Sequence, residues 1–146
     1  MKTTMAVAVL RAWMEMGGHG LMIPMCSLID NLFTMQGDVR AQYEHRIRNV
    51  SLLVLDDLGG ENTDQSWVLA KVDSIITERY NKMLATIITT NLPQSGLEDT
   101  YTGRVFDRLR STSYYLRFAG ESERSTLRRA QIVPFHPSGQ DHREES

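Results

Sequence analysis

Leu52-Leu53-Val54-Leu55-Asp56-Asp57-Leu58-Gly59 is the stretch whose reading decides the fold. Residues 51–55 do not alternate apolar with polar, as a strand wet on one face would. They read as a strand buried on both faces, the habit of parallel sheets. Asp56 and Asp57 follow at its C-terminal end, and Gly59 and Gly60 turn the chain. In such sheets ligands bind beyond the carboxyl ends of the strands. The two carboxylates are therefore nominated as part of a site.

Working outward, apolar spacing marks alternating helices and strands. Residues 4–16 read as a helix with Ala6, Val9, Leu10 and Trp13 on one face, ended by Gly17, Gly18 and Gly20. Residues 21–25 read as a short buried strand. Ser27 is placed to cap the next helix, whose apolar face carries Leu28, Leu32 and Phe33. Residues 38–49 form a further helix with Val39, Tyr43 and Ile47 four apart. Residues 66–81 are helical, with Val68, Val72, Ile75 and Ile76 on one side. Residues 84–89 are a β-branched strand closed by Thr90, Asn91 and Pro93. Residues 102–111 form a short helix with Val105, Phe106 and Leu109 inward, and residues 114–118 a last strand. This alternation predicts an α/β fold with a mostly parallel sheet. From Pro134 onward Pro, Gly, His and charge dominate, so residues 134–146 are expected to be a disordered tail after one domain at 1–133.

Composition fits that reading. The chain has 146 residues, 41% hydrophobic and 23% charged, which is one domain's length and enough to bury a core. A net charge of −2 excludes a strongly basic nucleic-acid coat but leaves room for a local basic patch. The single cysteine, Cys26, excludes an internal disulfide framework. No apolar run approaches a membrane span and the start lacks the pattern of a signal peptide, so a cytoplasmic protein without membrane contact is expected. The four histidines and Cys26 show no metal-ligand spacing, and the eight methionines are core filler.

Three features carry chemistry. A strand that ends in Asp56-Asp57 fixes one carboxylate for a hard cation such as Mg²⁺ and another to orient an attacking water, the logic of the Walker B element. Capping of the turn before Gly59 is the plainer use of the same pair. Asn91, at the tip of a neighbouring strand, is placed to touch that water and a terminal phosphate, or simply to make an Asn-Leu-Pro turn. Lys2-Thr3 opens a helix in the manner of the last two positions of G-x-x-x-x-G-K-[ST]. The arginines at 40, 46 and 48, with Tyr43 among them, suit either a solvated helix face or a phosphate backbone with a base stacked on the tyrosine.

Together with Thr-Ile-Ile-Thr-Thr-Asn-Leu-Pro (86–93), Arg-Val-Phe-Asp-Arg-Leu-Arg (104–110) and Gly-Glu-Ser-Glu-Arg (120–124), these features resemble an AAA+ P-loop NTPase core. The wording is similar to DnaC-type replicative helicase loaders and their sister group, the IstB-type transposition ATPases, over residues 2–128. The resemblance implies a three-layer fold that binds ATP and Mg²⁺, contacts single-stranded DNA and acts with the replicative DNA helicase. It implies that Lys2 and Thr3 end Walker A, with Thr3 and Asp56 on the metal. Asp57 stands at the catalytic carboxylate and Asn91 at sensor I. Arg108 is the arginine finger for a neighbouring subunit, so that the chain self-associates through that face, and Arg124 is a second phosphate sensor. A solvated helix face with Asp107 as partner is the plain alternative for Arg108. The motif Thr-Thr-Asn-Leu-Pro favours the loader branch, and an interaction module without hydrolysis is a third reading.

The chain departs from that family at its start. The glycines of the loop and the first, central strand are not among its residues. The expectation is an N-terminally truncated core, through a misassigned start, a decayed gene or a true short form. It is expected to bind ATP poorly and to leave the strands at 84–89 and 114–118 with unpaired edges.

Overall fold

A computed structural model describes residues 1–59, 66–101 and 103–118, without the side chains of Gln94, Arg104, Val105 and Thr112. The elements run α1 (Lys2–Glu15), β1 (Gly20–Pro24), α2 (Met25–Thr34), α3 (Gly37–Asn49), β2 (Leu52–Leu58), α4 (Ser66–Asn81), β3 (Ala85–Thr90), α5 (Gln94–Thr100) and α6 (Gly103–Thr112). The strands form one parallel sheet in the order β1-β2-β3, with Gly20 opposite Leu52 and Leu52 opposite Ala85. This is the α/β fold the pattern predicts.

Residues 52–55 of β2 are all buried, as a strand covered on both faces must be. Side chains alternate along it. Leu53 and Leu55 join a core with Leu28 and Leu32 of α2, Ile47 of α3 and Val68, Val72, Ile75 and Ile76 of α4. Leu52 and Val54 are buried outside that core, and α1 packs on all three strands. The sheet is thus the middle of three layers. The helix α1 runs back along the strands, and its far end is tied down by Trp13, whose Nε1 donates to the His19 carbonyl and to Ser51 Oγ, each at 3.3 Å.

Arg79, which no local sequence pattern singles out, is among the most buried side chains at 1% exposure. Its guanidinium donates to the carbonyls of Ile47 and Val50 at 2.8 Å, to the carbonyl of Ala85 at 2.7 Å and to Thr86 Oγ1 at 3.0 Å. It thereby fastens the end of α3 to the start of β3. Burial pulls its pKa down to about 10, so it stays charged at neutral pH. Above it, α3 and α4 are laced by Glu44 with Lys71, Arg40 and Arg48, and by Glu78 with Arg48 and Lys82.

Several expectations need correction. Residues 114–118 are not a strand: they are exposed, Tyr114 at 98%, because no sheet edge among the described residues receives them. The outer edge of β3 has no strand beside it among those residues. Ser27 does not cap α2, which already starts at Met25 behind an extended Pro24. Phe33 and Val39 are exposed rather than inward, Phe33 lying 6.4 Å from the Trp67 ring, and Val9 is also exposed. The strand carrying the aspartates does not end at Leu55 but runs to Leu58. Helix α5 was not foreseen, since its seven residues show too little periodicity to read. Gly60 and the tail at 134–146 lie outside the described residues, as does the inward packing of Val105.

Arg79→Met is expected to destabilise the fold by at least about 2 kcal/mol, because it strands the buried Ile47 carbonyl and the partly buried ones of Val50 and Ala85. Arg79→Lys should recover only part, lacking the fork; urea unfolding measures both. A second expectation concerns acid. Desolvation raises the Glu44 pKa, but Lys71, Arg40 and Arg48 together outweigh it and hold it below the ordinary 4.5. A depressed carboxylate contributes stability above its unfolded pKa and loses it as pH falls through the folded one. Unfolding midpoints should therefore drop below about pH 4.5, and Glu44→Gln should flatten that limb.

Candidate functional site

The site is built by a slip between two strands. Leu55 pairs with Ile88, but the next pair is Leu58 with Thr90. Asp56 and Asp57 therefore share one partner position, Thr89, as in a β-bulge. Asp57 takes a left-handed backbone with φ 62°, a conformation Asp tolerates better than most side chains. In a regular strand adjacent side chains face opposite ways. Here the bulge lets both carboxylates bond into one rim.

The rim holds two hydrogen-bonded chains. In the first, Thr3 Oγ1 donates to Asp56 Oδ1 at 2.9 Å, and Thr89 Oγ1 donates to the same oxygen at 2.5 Å. In the second, Lys2 Nζ donates to Asn91 Oδ1 at 2.6 Å, and Asn91 Nδ2 donates to Asp57 Oδ1 at 2.7 Å. Lys2 and Thr3 are the first residues of α1, whose N-terminus has no side-chain cap and no acidic residue in its first turn. Its amides and the lysine thus present positive charge beside two carboxylates. Just beyond the bulge Gly59 takes φ +89°, and a Cβ there would lie 2.3 Å from Leu92 Cδ1. Only glycine suits that turn. The turn after β3 is closed by Thr90 Oγ1, which donates to the Leu58 carbonyl at 2.6 Å and accepts from Leu92 N.

The structure thus brings together Lys2, Thr3, Asp56, Asp57 and Asn91, nominated from distant parts of the sequence. Arg108 sits elsewhere, on α6 against α4. Its guanidinium donates to Thr77 Oγ1 at 2.7 Å, lies 3.6 Å from Asp73 Oδ1 and sits 6.0 Å from the Tyr80 ring centre. Its carboxylate neighbour there is Asp73 rather than the expected Asp107, which is exposed. Arg124 and the Arg104 side chain lie outside the described residues. The basic stripe of α3 also resolves: Arg40 and Arg48 are ion-paired within the fold, and the Tyr43 hydroxyl accepts from Asn31 Nδ2 at 3.1 Å, so this tyrosine is part of the packing.

The donor set suits a magnesium–triphosphate. Asp56 and Thr3 offer adjacent oxygens, and Mg²⁺ is commonly held by one or two carboxylates with substrate phosphates and water. No cluster of three or more His, Cys, Asp and Glu exists among the described residues, so an all-protein metal cage is not what this rim provides. Open cavities of about 380 Å³ beside Met14, His19 and Arg46, and of about 370 Å³ between α4 and Arg108, lie away from the rim. Sequence reasoning missed Thr89, because a threonine in a β-branched strand reads as strand propensity alone.

Against known proteins, a family model described as IstB-like ATP binding protein matches residues 1–131. The replicative helicase loader DnaC of Buchnera aphidicola subsp. Schizaphis graminum is 25% identical over 118 residues, covering 75% of this chain and 48% of the relative. The chain thus spans about half the length of that relative. A crystal structure of the DnaC helicase loader superposes with a TM-score of 0.67 at 29% identity, over 77% of this chain and 68% of that one. The replication initiator DnaA bound to AMPPCP and single-stranded DNA gives 0.63 at 15% identity, over 77% and 35%, a likeness of fold. No described helix is long and apolar enough to cross a membrane.

Because the Lys2–Asn91 and Asn91–Asp57 bonds are exposed, they contribute little to folding. Lys2→Ala and Asn91→Ala are each expected to change unfolding free energy by less than about 1 kcal/mol in a urea titration.

Proposed function

Because the chain belongs to the family of IstB-like ATP binding proteins, we propose that it binds ATP with Mg²⁺ at the rim of β2 and β3 and serves DNA replication in the manner of a helicase loader. The observation that carries this is the meeting of the first turn of α1 with both strand tips: Lys2 on Asn91 and Thr3 on Asp56. Lys2 and the α1 amides take the phosphates. Thr3 and Asp56 hold the magnesium, which neutralises phosphate charge when bound. Asp57 orients the attacking water, and Asn91, already bonded to Asp57, senses the terminal phosphate.

Arg108 acts on the nucleotide of a neighbouring copy. Its seat on the α4–α6 face, apart from the chain's own rim, supports that assignment, and it requires head-to-tail self-association. Arg124 joins as a second phosphate sensor. Partners are the replicative helicase and single-stranded DNA, and the site of action is the cytoplasm. The DnaC relative and the DnaC structure support the loader reading. The family description supports a second one, an accessory ATPase of transposition.

Titration of a fluorescent ATP analogue tests the core of this reading. Mg²⁺-dependent binding is expected in the wild type and lost in Asp56→Ala, whereas Arg108→Ala should bind normally and lose hydrolysis only in assemblies. Binding without magnesium dependence, or undiminished in Asp56→Ala, overturns it. Co-purification with replicative helicase rather than transposase separates the two biological roles.

A further inference from the structure

Thr89 lies in the Thr-Thr-Asn-Leu-Pro stretch without a role assigned to it, yet it touches both halves of the rim. It is 7% exposed, in the β3 position that faces two residues of β2. Its hydroxyl donates to Asp56 Oδ1 at 2.5 Å and accepts from the Asp57 amide at 2.9 Å. A hydroxyl has one proton to give, and here it goes to the carboxylate while a lone pair receives the amide. The β-branch leaves Thr few χ1 choices, so the oxygen is aimed by the backbone.

We infer that Thr89 is the positioning residue of the rim: its one hydroxyl orients the Asp56 carboxylate and pins the bulge that turns Asp57 toward Asn91. Two consequences separate it from its neighbours. The Asp57 amide sits at a left-handed residue out of step with the ladder, and the hydroxyl of Thr89 supplies its acceptor. Asp56 Oδ1 receives two hydroxyls, from Thr3 and Thr89. If Thr3 turns its oxygen to a metal, Thr89 keeps the carboxylate in place. Thr89 itself stays one layer back and acts through Asp56 and Asp57. The metal part of this inference rests on the nucleotide reading above, and the bulge part does not.

The test compares Thr89→Val, which keeps the shape and removes the hydroxyl, with Thr89→Ser, which keeps the hydroxyl. In nucleotide-free protein, hydrogen exchange at the Asp57 amide should accelerate about tenfold in Thr89→Val and stay near wild type in Thr89→Ser. In the titration, the Mg²⁺ concentration for half-maximal binding should rise about 10- to 100-fold in Thr89→Val, with magnesium-free binding unchanged and Thr89→Ser close to wild type. A merely structural threonine would not move the magnesium dependence alone. Unchanged Asp57 exchange in Thr89→Val overturns the inference, as does a serine variant whose Asp57 exchange departs from wild type by the factor expected of valine, and that second reading stands even where the valine variant does not fold. A wild type that binds no nucleotide refutes the nucleotide reading, while Asp57 exchange still decides whether Thr89 pins the bulge.

Discussion

Two parallel strands fall out of step by one residue at Asp56 and Asp57, and the rest of the rim depends on that slip. Regular pairing would send one carboxylate to each face of the sheet. The bulge instead lets Asp56 reach Thr3 and Asp57 reach Asn91. It is bought with a left-handed aspartate at φ 62°, and strained backbone of that kind persists only where its surroundings hold it. Thr89 beneath, Gly59 beyond and the Thr90 turn beside it supply that hold.

Precision at the rim also requires a rigid frame behind it. Burial of β2 on both faces fixes its height between layers, and α1 runs from the rim to an anchorage where Trp13 donates to His19 and Ser51. On the other face Arg79 ties α3 to β3 through three carbonyls, with the Ile47 bond buried and the Val50 and Ala85 bonds partly so. The guanidinium suits this work because its fork serves several acceptors at once. The Glu44 and Glu78 pairs lie above that staple, half in solvent, and add orientation to α3 and α4 more than energy. The same frame uses up charges that a bare sequence offers to nucleic acid: Arg40 and Arg48 are spent on Glu44 and Glu78.

Much of this could be read from residue order. The unbroken apolar run at 52–55 announced a doubly covered strand, and the 66–81 periodicity located α4 and the four apolar residues of its buried face. The site residues Lys2, Thr3, Asp56, Asp57 and Asn91 were nominated by position at strand and helix ends, and they do meet. What failed has physical causes. Residues 114–118 have strand propensity, but a strand exists only with a neighbour to bond, and among the described residues β3 offers an edge they do not occupy. Phe33 and Val39 sit at helical positions whose direction depends on where the next element packs. Arg79 looked like any charge in a helix, since nothing local reveals three carbonyls converging on it from other segments.

Local pattern alone therefore determined the parallel α/β class, the order of its elements as far as β3 and which polar side chains stand at the strand tips, because periodicity and end signals are properties of contiguous residues. Only the folded chain decided that Asp56 and Asp57 share one partner, that Thr89 binds both, that Arg108 rests against Asp73 and Thr77, and that Arg79 is interior. Each of those depends on register or on contacts between segments about thirty residues apart, and such contacts are set by packing geometry that no stretch of sequence carries within itself.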